Sequence, residues 1–370
     1  MISGPGTVAI AGASGVIGAA AVEAFAEAGW DVIAVSRRQP FVPAGTRFRH
    51  LSLDLSNAAG CREALAGIGA VSHLVYAAVS EAPGLVEGWS DPALMQANLR
   101  MFAHLVDPLA ETGLLQRVVL LQGTKAYGAH LHPVHLPARE DRPRDPHANF
   151  YWLQEDHLRT VSIRHGFDWT IVRPQVVFGG APGAVMNPVA ALGAYAALCR
   201  ELDLPFACPG TSRLLWEVTD AGLLGSAILW AMGTPAAENQ IFNVTNGDVF
   251  VLRDAWSELA GAFGLVTGEC GGGGLAAFLA DAGMGQAWQR LALKYALAID
   301  DLSALVGQSH HYVDLLVDDR AIHDGGLPAL VSTIKIRKAG FKDCRDSLES
   351  LLFWIGRMSQ LGLLPPDLLV

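Results

Sequence analysis

The 370-residue chain is poor in charged residues and in paired cysteines. Only 17% of its residues are charged and 51% are hydrophobic, which excludes a disordered protein and suits a well-buried core. Its five cysteines are odd in number and form no C-x-x-C pair, so we expect reduced thiols and a cytoplasmic location rather than a disulfide framework. The net charge of −10, with acids spread throughout, argues against a nucleic-acid surface.

Signals for export or membrane insertion are also scarce. No basic residue precedes Arg37, and Glu23 interrupts the first apolar stretch, which argues against a signal peptide. One uncharged segment, 179–199, contains Pro182, Pro188 and four glycines, and we interpret it as a buried helix. We therefore expect no membrane-spanning segment.

The first half of the chain alternates short apolar runs with helical periods. The predicted strands are 7–11, 30–36, 48–53, 71–77, 117–121 and 169–172, and the predicted helices are 16–28, 57–66, 93–112 and 151–165. Repeated βα units of this length predict an α/β fold of Rossmann type, with a doubly wound parallel sheet.

The second half is less regular and mostly helical. Helices are predicted near 185–201, 219–232 and 253–264, with a late strand at 241–244 and a flexible joint at the four glycines 271–274. We therefore predict a dinucleotide-binding domain at 1–178, to which a strand near 240–250 returns. A smaller, mostly helical substrate domain would occupy 179–370.

A glycine-rich turn follows the first predicted strand and opens the first predicted helix. Glycine there permits a tight turn and lets a pyrophosphate approach the backbone, while the helix N-terminus supplies N–H donors. The strand–turn–helix context favours a dinucleotide site over an ordinary glycine-rich turn. The predicted cofactor contacts are Gly12, Ser14, Gly15, Val16, Ile17 and Gly18.

The second predicted strand lacks the acidic residue that ends this strand in NAD-binding proteins. It ends in Ser36, Arg37 and Arg38. Two guanidinium groups and a hydroxyl suit a ribose 2′-phosphate, although a solvated surface pair is the alternative. Their position, about 20 residues after the glycines, favours NADPH. Asp54 and Leu55, after the third strand, are expected to flank the adenine.

The most informative absence is that of a lysine four residues after Tyr151. The segment 149–156 resembles the start of the catalytic helix in short-chain dehydrogenases, where that lysine lowers the tyrosine pKa, but Glu155 stands in its place. Lys125 follows the apolar run 117–121, and α/β folds place their chemistry at the carboxyl ends of such strands. We predict a relocated catalytic pair, Tyr151 and Lys125. Taken singly, a core tyrosine or a solvated lysine explains each residue as well.

Together these motifs resemble the PRISE family, the progesterone 5β-reductase and iridoid synthase-like enone reductases. Members are atypical extended short-chain dehydrogenases. The resemblance covers nearly the whole chain and is weakest around 265–300. The segments that carry it are Ser36–Arg38, Gly123–Tyr127, Asn149–Tyr151 with Glu155–Asp156, Arg173–Pro174, Val177–Gly179, Met186–Asn187, Tyr195–Ala197, Phe242–Phe250, Lys338–Phe341 and Trp354–Ile355.

The resemblance implies further site residues. It implies that Tyr151 and Lys125 are catalytic and that NADPH also contacts a second group of residues. That group is Gly123, Lys125, Tyr151, Pro174, Val177 and Met186. Phe150, Trp216 and Tyr312 are the substrate-side candidates, although a packing role explains Trp216 and Tyr312 equally well. By analogy alone, a homodimer would form through the helices near 93–112 and 151–165.

The implied reaction is 1,4-reduction of a small α,β-unsaturated carbonyl compound. Tyr151 would stabilise the enolate, Lys125 would hold the ribose and bias the tyrosine electrostatically, and solvent could protonate the α-carbon. Sugar-modifying relatives carry serines where this chain has Leu121–Thr124, which argues against a nucleotide-sugar epimerase. A carbonyl reductase that forms an alcohol and a non-catalytic NADPH-sensing protein stay open, although the tyrosine–lysine pair counts against a sensor.

Three neighbouring histidines invite a metal site. They are His130, His132 and His135, but Pro133 and the lack of helical i, i+4 spacing indicate a loop. Hydride transfer from NADPH needs no metal, so we expect none.

Overall fold

The computed structural model describes residues 5–81, 87–271, 273–318 and 329–370. Its strands are β1 Thr7–Ala11, β2 Asp31–Ser36, β3 Arg49–Ser52, β4 His73–Tyr76, β5 Arg117–Leu121, β6 Asp168–Pro174, β7 Val177–Phe178, β8 Phe206–Ala207, β9 Thr219–Asp220, β10 Gln240–Val244 and β11 Thr267–Gly268. Seven of them form one sheet in the order β10-β6-β5-β4-β1-β2-β3. Every neighbouring pair in this sheet is parallel, as predicted.

The helices of the described residues follow the predicted alternation in the first half. They are α1 Val16–Glu27, α2 Ala58–Ala66, α3 Pro92–Glu111, α4 Phe150–His165, α5 Val189–Glu201, α6 Ala221–Gly233, α7 Trp256–Ala262, α8 Gly274–Ala280, α9 Ala282–Tyr295, α10 Leu302–Val306, α11 Ser309–Val317, α12 Ile334–Ala339 and α13 Ser347–Gln360. Short 3-10 helices lie at Glu87–Ser90, Thr124–Tyr127 and Pro235–Ala237.

Both faces of the sheet are covered by helices, which confirms the doubly wound arrangement. On one face, buried side chains of α3 and α4 such as Phe102 and Leu158 pack against the strands. On the other face, Phe25 of α1 and Ile228 of α6 do the same. A Cβ on Gly225 of α6 would lie 2.9 Å from the Ala20 carbonyl oxygen, so glycine allows α6 to approach α1 this closely.

The late strand predicted at 241–244 is confirmed as β10, at the sheet edge beside β6. Together with α6, it brings chain from beyond residue 178 into the layers of the sheet. The division at residue 178 therefore stays a prediction about function.

A third hydrophobic core surrounds α5, in the uncharged segment 179–199. From Val189 to Cys199 every residue of this helix is buried, against side chains such as Trp256 and Trp288. The buried-helix interpretation is therefore confirmed. Within the described ranges, no helix combines the length and apolar character that a bilayer span requires. The predicted joint at 271–274 lies partly outside the described residues, and its last glycine begins α8.

The sheet order locates the edge where ligands bind. The chain runs outward from β1 in one direction through β2 and β3 and in the other through β4 and β5. The strand order reverses between β1 and β4, so the connection after β1 and the connection after β4 run over opposite faces of the sheet. Ligands of open α/β sheets bind at the carboxyl ends of the strands at such a reversal.

Candidate active site

In the glycine turn after β1, neighbouring backbone occupies the space that side chains at Gly12 and Gly18 would need. Gly12 has a φ of +79°, and a Cβ there would lie 2.7 Å from the Ala77 backbone. A Cβ on Gly18 would lie 2.1 Å from the Gly12 carbonyl oxygen. Gly15 is the N-cap residue of α1 and offers no side chain to cap the helix, and no acidic residue occupies the first turn. The turn therefore fits a pyrophosphate, because it offers open backbone and the positive end of a helix.

The arginine pair lies at the end of β2, on the same edge. Arg37 and Arg38 are exposed, and neither forms an ion pair within the described part of the chain. Ser36 is buried and its hydroxyl donates to the Arg38 carbonyl at 2.6 Å, which stabilises the turn. The Asp54 carboxylate accepts from the Ser56 amide at 2.9 Å and lies near Arg37, and both interactions hold the Asp54 pKa below its ordinary value. Two exposed guanidinium groups fit a phosphate.

Lys125 leaves the carboxyl end of β5 in a 3-10 helix, as predicted. Its Nζ lies 3.3 Å from the centroid of the Trp89 ring and 3.4 Å from Met186 Sδ. Burial among these groups lowers the pKa of Lys125 to about 7, although the negative charge of Glu81 opposes the shift. Among the side chains that the structure describes, none forms an ion pair with Lys125.

Tyr151 stands in the first turn of α4 and is 9% exposed. Its ring packs against Phe150 and Trp89, with centroids 4.6 and 5.5 Å away. A Cβ on Gly123 would lie 3.3 Å from the Tyr151 hydroxyl oxygen, so glycine keeps the hydroxyl uncovered. Burial and the negative charge of Glu81 raise the Tyr151 pKa and outweigh Arg173, so the hydroxyl is a neutral donor at pH 7.

Glu155 is 1% exposed and is neutralised by basic side chains. Its Oε1 lies 2.8 Å from Arg144 and 2.9 Å from Arg159, and Oε2 lies 3.6 Å from Arg173. Burial opposes ionisation, but the bonds from Arg144 and Arg159 outweigh it and lower the Glu155 pKa. Glu155 therefore stays ionised within its own cluster of arginines.

Gln122 joins that cluster to the start of α4. Its Oε1 accepts from Arg173 Nε at 2.9 Å, and its Nε2 donates to the Tyr151 carbonyl at 3.2 Å. The paired charges of Glu155 and Arg173 thus also support the backbone of Tyr151.

Of the substrate-side candidates, the structure brings only Phe150 to the Tyr151 ring. Trp216 donates to the Leu316 carbonyl at 3.0 Å, and Tyr312 packs against the helical core around α5. Neither makes a hydrogen bond or ring contact with Tyr151 or Lys125 in the described chain. Two predicted cofactor contacts lie at the same edge of the sheet. Pro174 is the last residue of β6, and Val177 is the first residue of β7.

The three histidines diverge. His135 is exposed, His132 bonds to Asp145, and the pKa of His130 is lowered to about 4 by burial and by the charge of Lys125. Within the residues that the structure describes, no three His, Cys, Asp or Glu side chains converge as metal ligands would.

Sequence reasoning missed Trp89, which contacts both Tyr151 and Lys125, and Glu81, whose charge shifts the pKa of both. Both follow β4, whose neighbour in the sheet is β5, the strand that precedes Lys125. Loops from adjacent parallel strands meet at one edge, and this rule could have drawn attention to them.

Comparison with known proteins agrees with this geometry. Residues 8–245 match the NAD dependent epimerase/dehydratase family. The chain belongs to that family. An (S)-8-oxocitronellyl enol synthase of Antirrhinum majus is 31% identical over 247 residues, a match that covers 63% of this chain and 61% of the relative. Another from Nepeta cataria is 29% identical, over 91% of this chain and 85% of the relative.

A 3-oxo-Delta(4,5)-steroid 5-beta-reductase of Arabidopsis thaliana is also 29% identical, over 91% of this chain and 86% of the relative. These relatives place the chain in the PRISE group and confirm an oxidoreductase of the short-chain dehydrogenase superfamily.

Solved structures show the same fold. The UDP-glucose 4-epimerase of Thermotoga maritima has a TM-score of 0.63 at 14% identity, over 96% of this chain and 98% of that one. A short-chain dehydrogenase/reductase superfamily protein of Agrobacterium tumefaciens with bound NAD has a TM-score of 0.59 at 16% identity, over 96% of both chains. At such identities the likeness shows the fold alone.

Proposed function

We propose that the protein is an NADPH-dependent reductase of activated C=C bonds, acting by 1,4-addition on small enones or enals. The observation that carries the proposal is that the neutral, buried Tyr151 and the Lys125 ammonium both contact the Trp89 ring at the carboxyl edge of the sheet. The relatives named as enol synthases and as a steroid 5-beta-reductase support the same chemistry. NADPH would bind along the glycine turn and the arginine pair, and it would supply the hydride.

Tyr151 acts in this proposal as an oxyanion donor. Its hydroxyl hydrogen-bonds the substrate carbonyl oxygen, on which negative charge develops as the β-carbon is reduced. A preorganised donor in a site that excludes water stabilises such charge strongly, typically by about 10²- to 10³-fold in rate. The α-carbon of the enolate takes its proton from solvent, so Tyr151 need not release its own.

Lys125 supplies positive charge at the same edge. Its ammonium lies on the Trp89 ring, which also contacts Tyr151, so the cation and the hydroxyl share one aromatic wall. Burial makes the charged form of Lys125 unfavourable. The oxygen acceptors of a cofactor ribose and the nearby phosphates would offset this desolvation cost. We therefore assign Lys125 to cofactor binding.

The proposal is tested by NADPH oxidation with 2-cyclohexen-1-one, with the product identified by NMR and mass spectrometry. We expect cyclohexanone, and we expect NADPH to bind more tightly than NADH in a fluorescence titration. Cyclohexenol would replace the proposal by carbonyl reduction. Bound NADPH without turnover of any enone would instead favour the sensor.

Tyr151→Phe tests the site assignment. We expect kcat to fall about 10²- to 10³-fold because the oxyanion donor is lost, with the Kd of NADPH unchanged. Tyr195→Phe is the matched control, since it removes a tyrosine hydroxyl that donates to the Ala207 carbonyl at 3.0 Å in the helical core. Full activity of Tyr151→Phe would refute the assignment.

A further inference from the structure

One side chain, that of Asn149, is bonded to the backbone of both catalytic candidates. Its Oδ1 accepts from the Tyr151 amide at 3.0 Å, and its Nδ2 donates to the Lys125 carbonyl at 3.1 Å. Asn149 is 4% exposed. Elsewhere in the described residues, no side chain hydrogen-bonds to the backbone of both. A flipped amide would set oxygen against the Lys125 carbonyl, so its two backbone partners fix its orientation.

The cap of α4 alone does not require asparagine. Serine, threonine and aspartate accept from a helix N-terminus as well as asparagine does. Among these, only asparagine joins that acceptor to an NH₂ group that can donate twice. Asn149 uses this donor on Lys125 and on His147 Nε2, which lies 3.0 Å away.

Asn149 is supported in turn by a short chain of polar groups that leads to the surface. Because Asn149 donates to His147 Nε2, the ring proton of His147 lies on Nδ1 and donates to Asp145 at 2.7 Å. The other Asp145 oxygen lies 2.9 Å from Nε2 of His132, whose side chain is 44% exposed. These polar groups hold the amide of Asn149 through the same Nδ2 that donates to Lys125.

We propose that Asn149 is a positioning residue that fixes the Lys125 ammonium and the Tyr151 hydroxyl at one spacing around Trp89. Asp145 and His147 maintain its orientation. The inference rests on the proposed function, because it concerns the same catalytic pair. Asn149 acts through Lys125 and Tyr151, by way of their backbones.

Asn149→Ser and Asn149→Asp test this role, since both keep an acceptor for the helix cap and lose the donor to Lys125. We expect kcat at saturating NADPH to fall about 10- to 100-fold, as misplacement of catalytic groups by an ångström does. The Kd of NADPH should rise as well, because Lys125 is assigned to cofactor binding. Asn57→Ser is the matched control, because Asn57 caps α2 by accepting from the Gly60 amide at 3.0 Å. It should keep its kcat.

A second readout needs no turnover. The chain has five lysines, so the Cε signals of [ε-¹³C]lysine can be assigned by single substitution, Lys125 by Lys125→Met. In the parent protein Lys125 should titrate near pH 7, since its pKa is about 7. In Asn149→Ser, which adds no charge, the midpoint should rise by about one unit or more, as Lys125 leaves its enclosure, and Asn57→Ser should not change it.

The two readouts separate this inference from the proposed function. If the parent protein reduces no enone but Asn149→Ser shifts the Lys125 titration, the positioning role stands and the proposed function fails. If the parent reduces enones and Asn149→Ser retains both kcat and the titration midpoint of Lys125, the positioning role is overturned and the function stands.

Discussion

Glu155 is a buried charge and Lys125 a partly buried one, both near the same tyrosine, and their surroundings are opposite. Glu155 is held by Arg144, Arg159 and Arg173, and its pKa is lowered. Lys125 lies against Trp89 and Met186, and its pKa is lowered too, but for a base this means that the charged form is disfavoured. A buried charge with all its partners serves the fold. A buried charge with apolar surroundings at a ligand-binding edge indicates function.

The comparison explains how a glutamate can replace the usual lysine. At residue 155 a lone carboxylate would add negative charge near Tyr151, but the arginines neutralise it. The groups that shift the Tyr151 pKa are its own burial, then Glu81 and Arg173. The cation of the site lies instead in the 3-10 helix after β5, and Glu155 is part of the support of α4.

The largest effect is expected at Lys125. Lys125→Met keeps the length of the side chain and removes its charge, so kcat/KM should fall about 10³-fold, roughly 4 kcal/mol of transition-state stabilisation. The Tm should not fall, because a partly buried ammonium that forms no ion pair with the described side chains costs desolvation, which offsets its contact with Trp89. Lys294→Met, at an exposed lysine, is the control. A lower Tm with retained turnover would make Lys125 a structural residue.

Glu155→Gln should lower stability more than activity, which is the converse of Lys125→Met. The amide keeps the shape but leaves Arg173, which is 4% exposed, without its carboxylate. Breaking a buried ion pair from one side typically costs about 3 kcal/mol, and urea denaturation would measure this loss. The kcat of the folded enzyme should change less than in Lys125→Met. Asp254→Asn, in an exposed pair with Arg213, is the control and should leave stability unchanged.

The fold could be predicted from sequence because its signals are local, whereas the cofactor contacts stay a prediction. Apolar runs such as 117–121 coincide with buried strands, and the glycines of 12–18 stand beside one another in the chain and in space. The sequence also singled out Tyr151 and Lys125 as candidates, because Lys125 follows strand β5 and Tyr151 lies in the first turn of α4.

The surroundings of the catalytic pair depend on contacts between distant segments. Arg144 reaches Glu155 across the loop before α4, and no spacing rule predicts such a contact. Met186 was predicted to contact the cofactor, and in the structure its sulfur lies on Lys125. Whether it also contacts NADPH stays a prediction, as do the substrate roles of Trp216 and Tyr312 and the homodimer.

The smallest predicted effect concerns Glu81. Its carboxylate raises the pKa of Lys125, so Glu81→Gln should lower that pKa below its value of about 7. The ammonium form of Lys125 exists at pH values below the Lys125 pKa, so kcat/KM of the variant should match that of the parent near pH 6. As the pH rises, kcat/KM of the variant should begin to fall at a lower pH than in the parent. We expect a shift of about half a unit, which makes the variant about threefold slower at pH 8.

The pH dependence of kcat/KM measures this shift, with Glu63→Gln on the exposed face of α2 as the control. Burial raises the pKa of Glu81, and Lys125 opposes that shift, so each group favours the charge of the other. An unchanged basic limb in Glu81→Gln would mean that the Glu81 carboxyl is already neutral in the working enzyme. Among the side chains that the structure describes around Lys125, its ammonium would then be the only charge, and its contrast with the fully paired Glu155 would be sharper still.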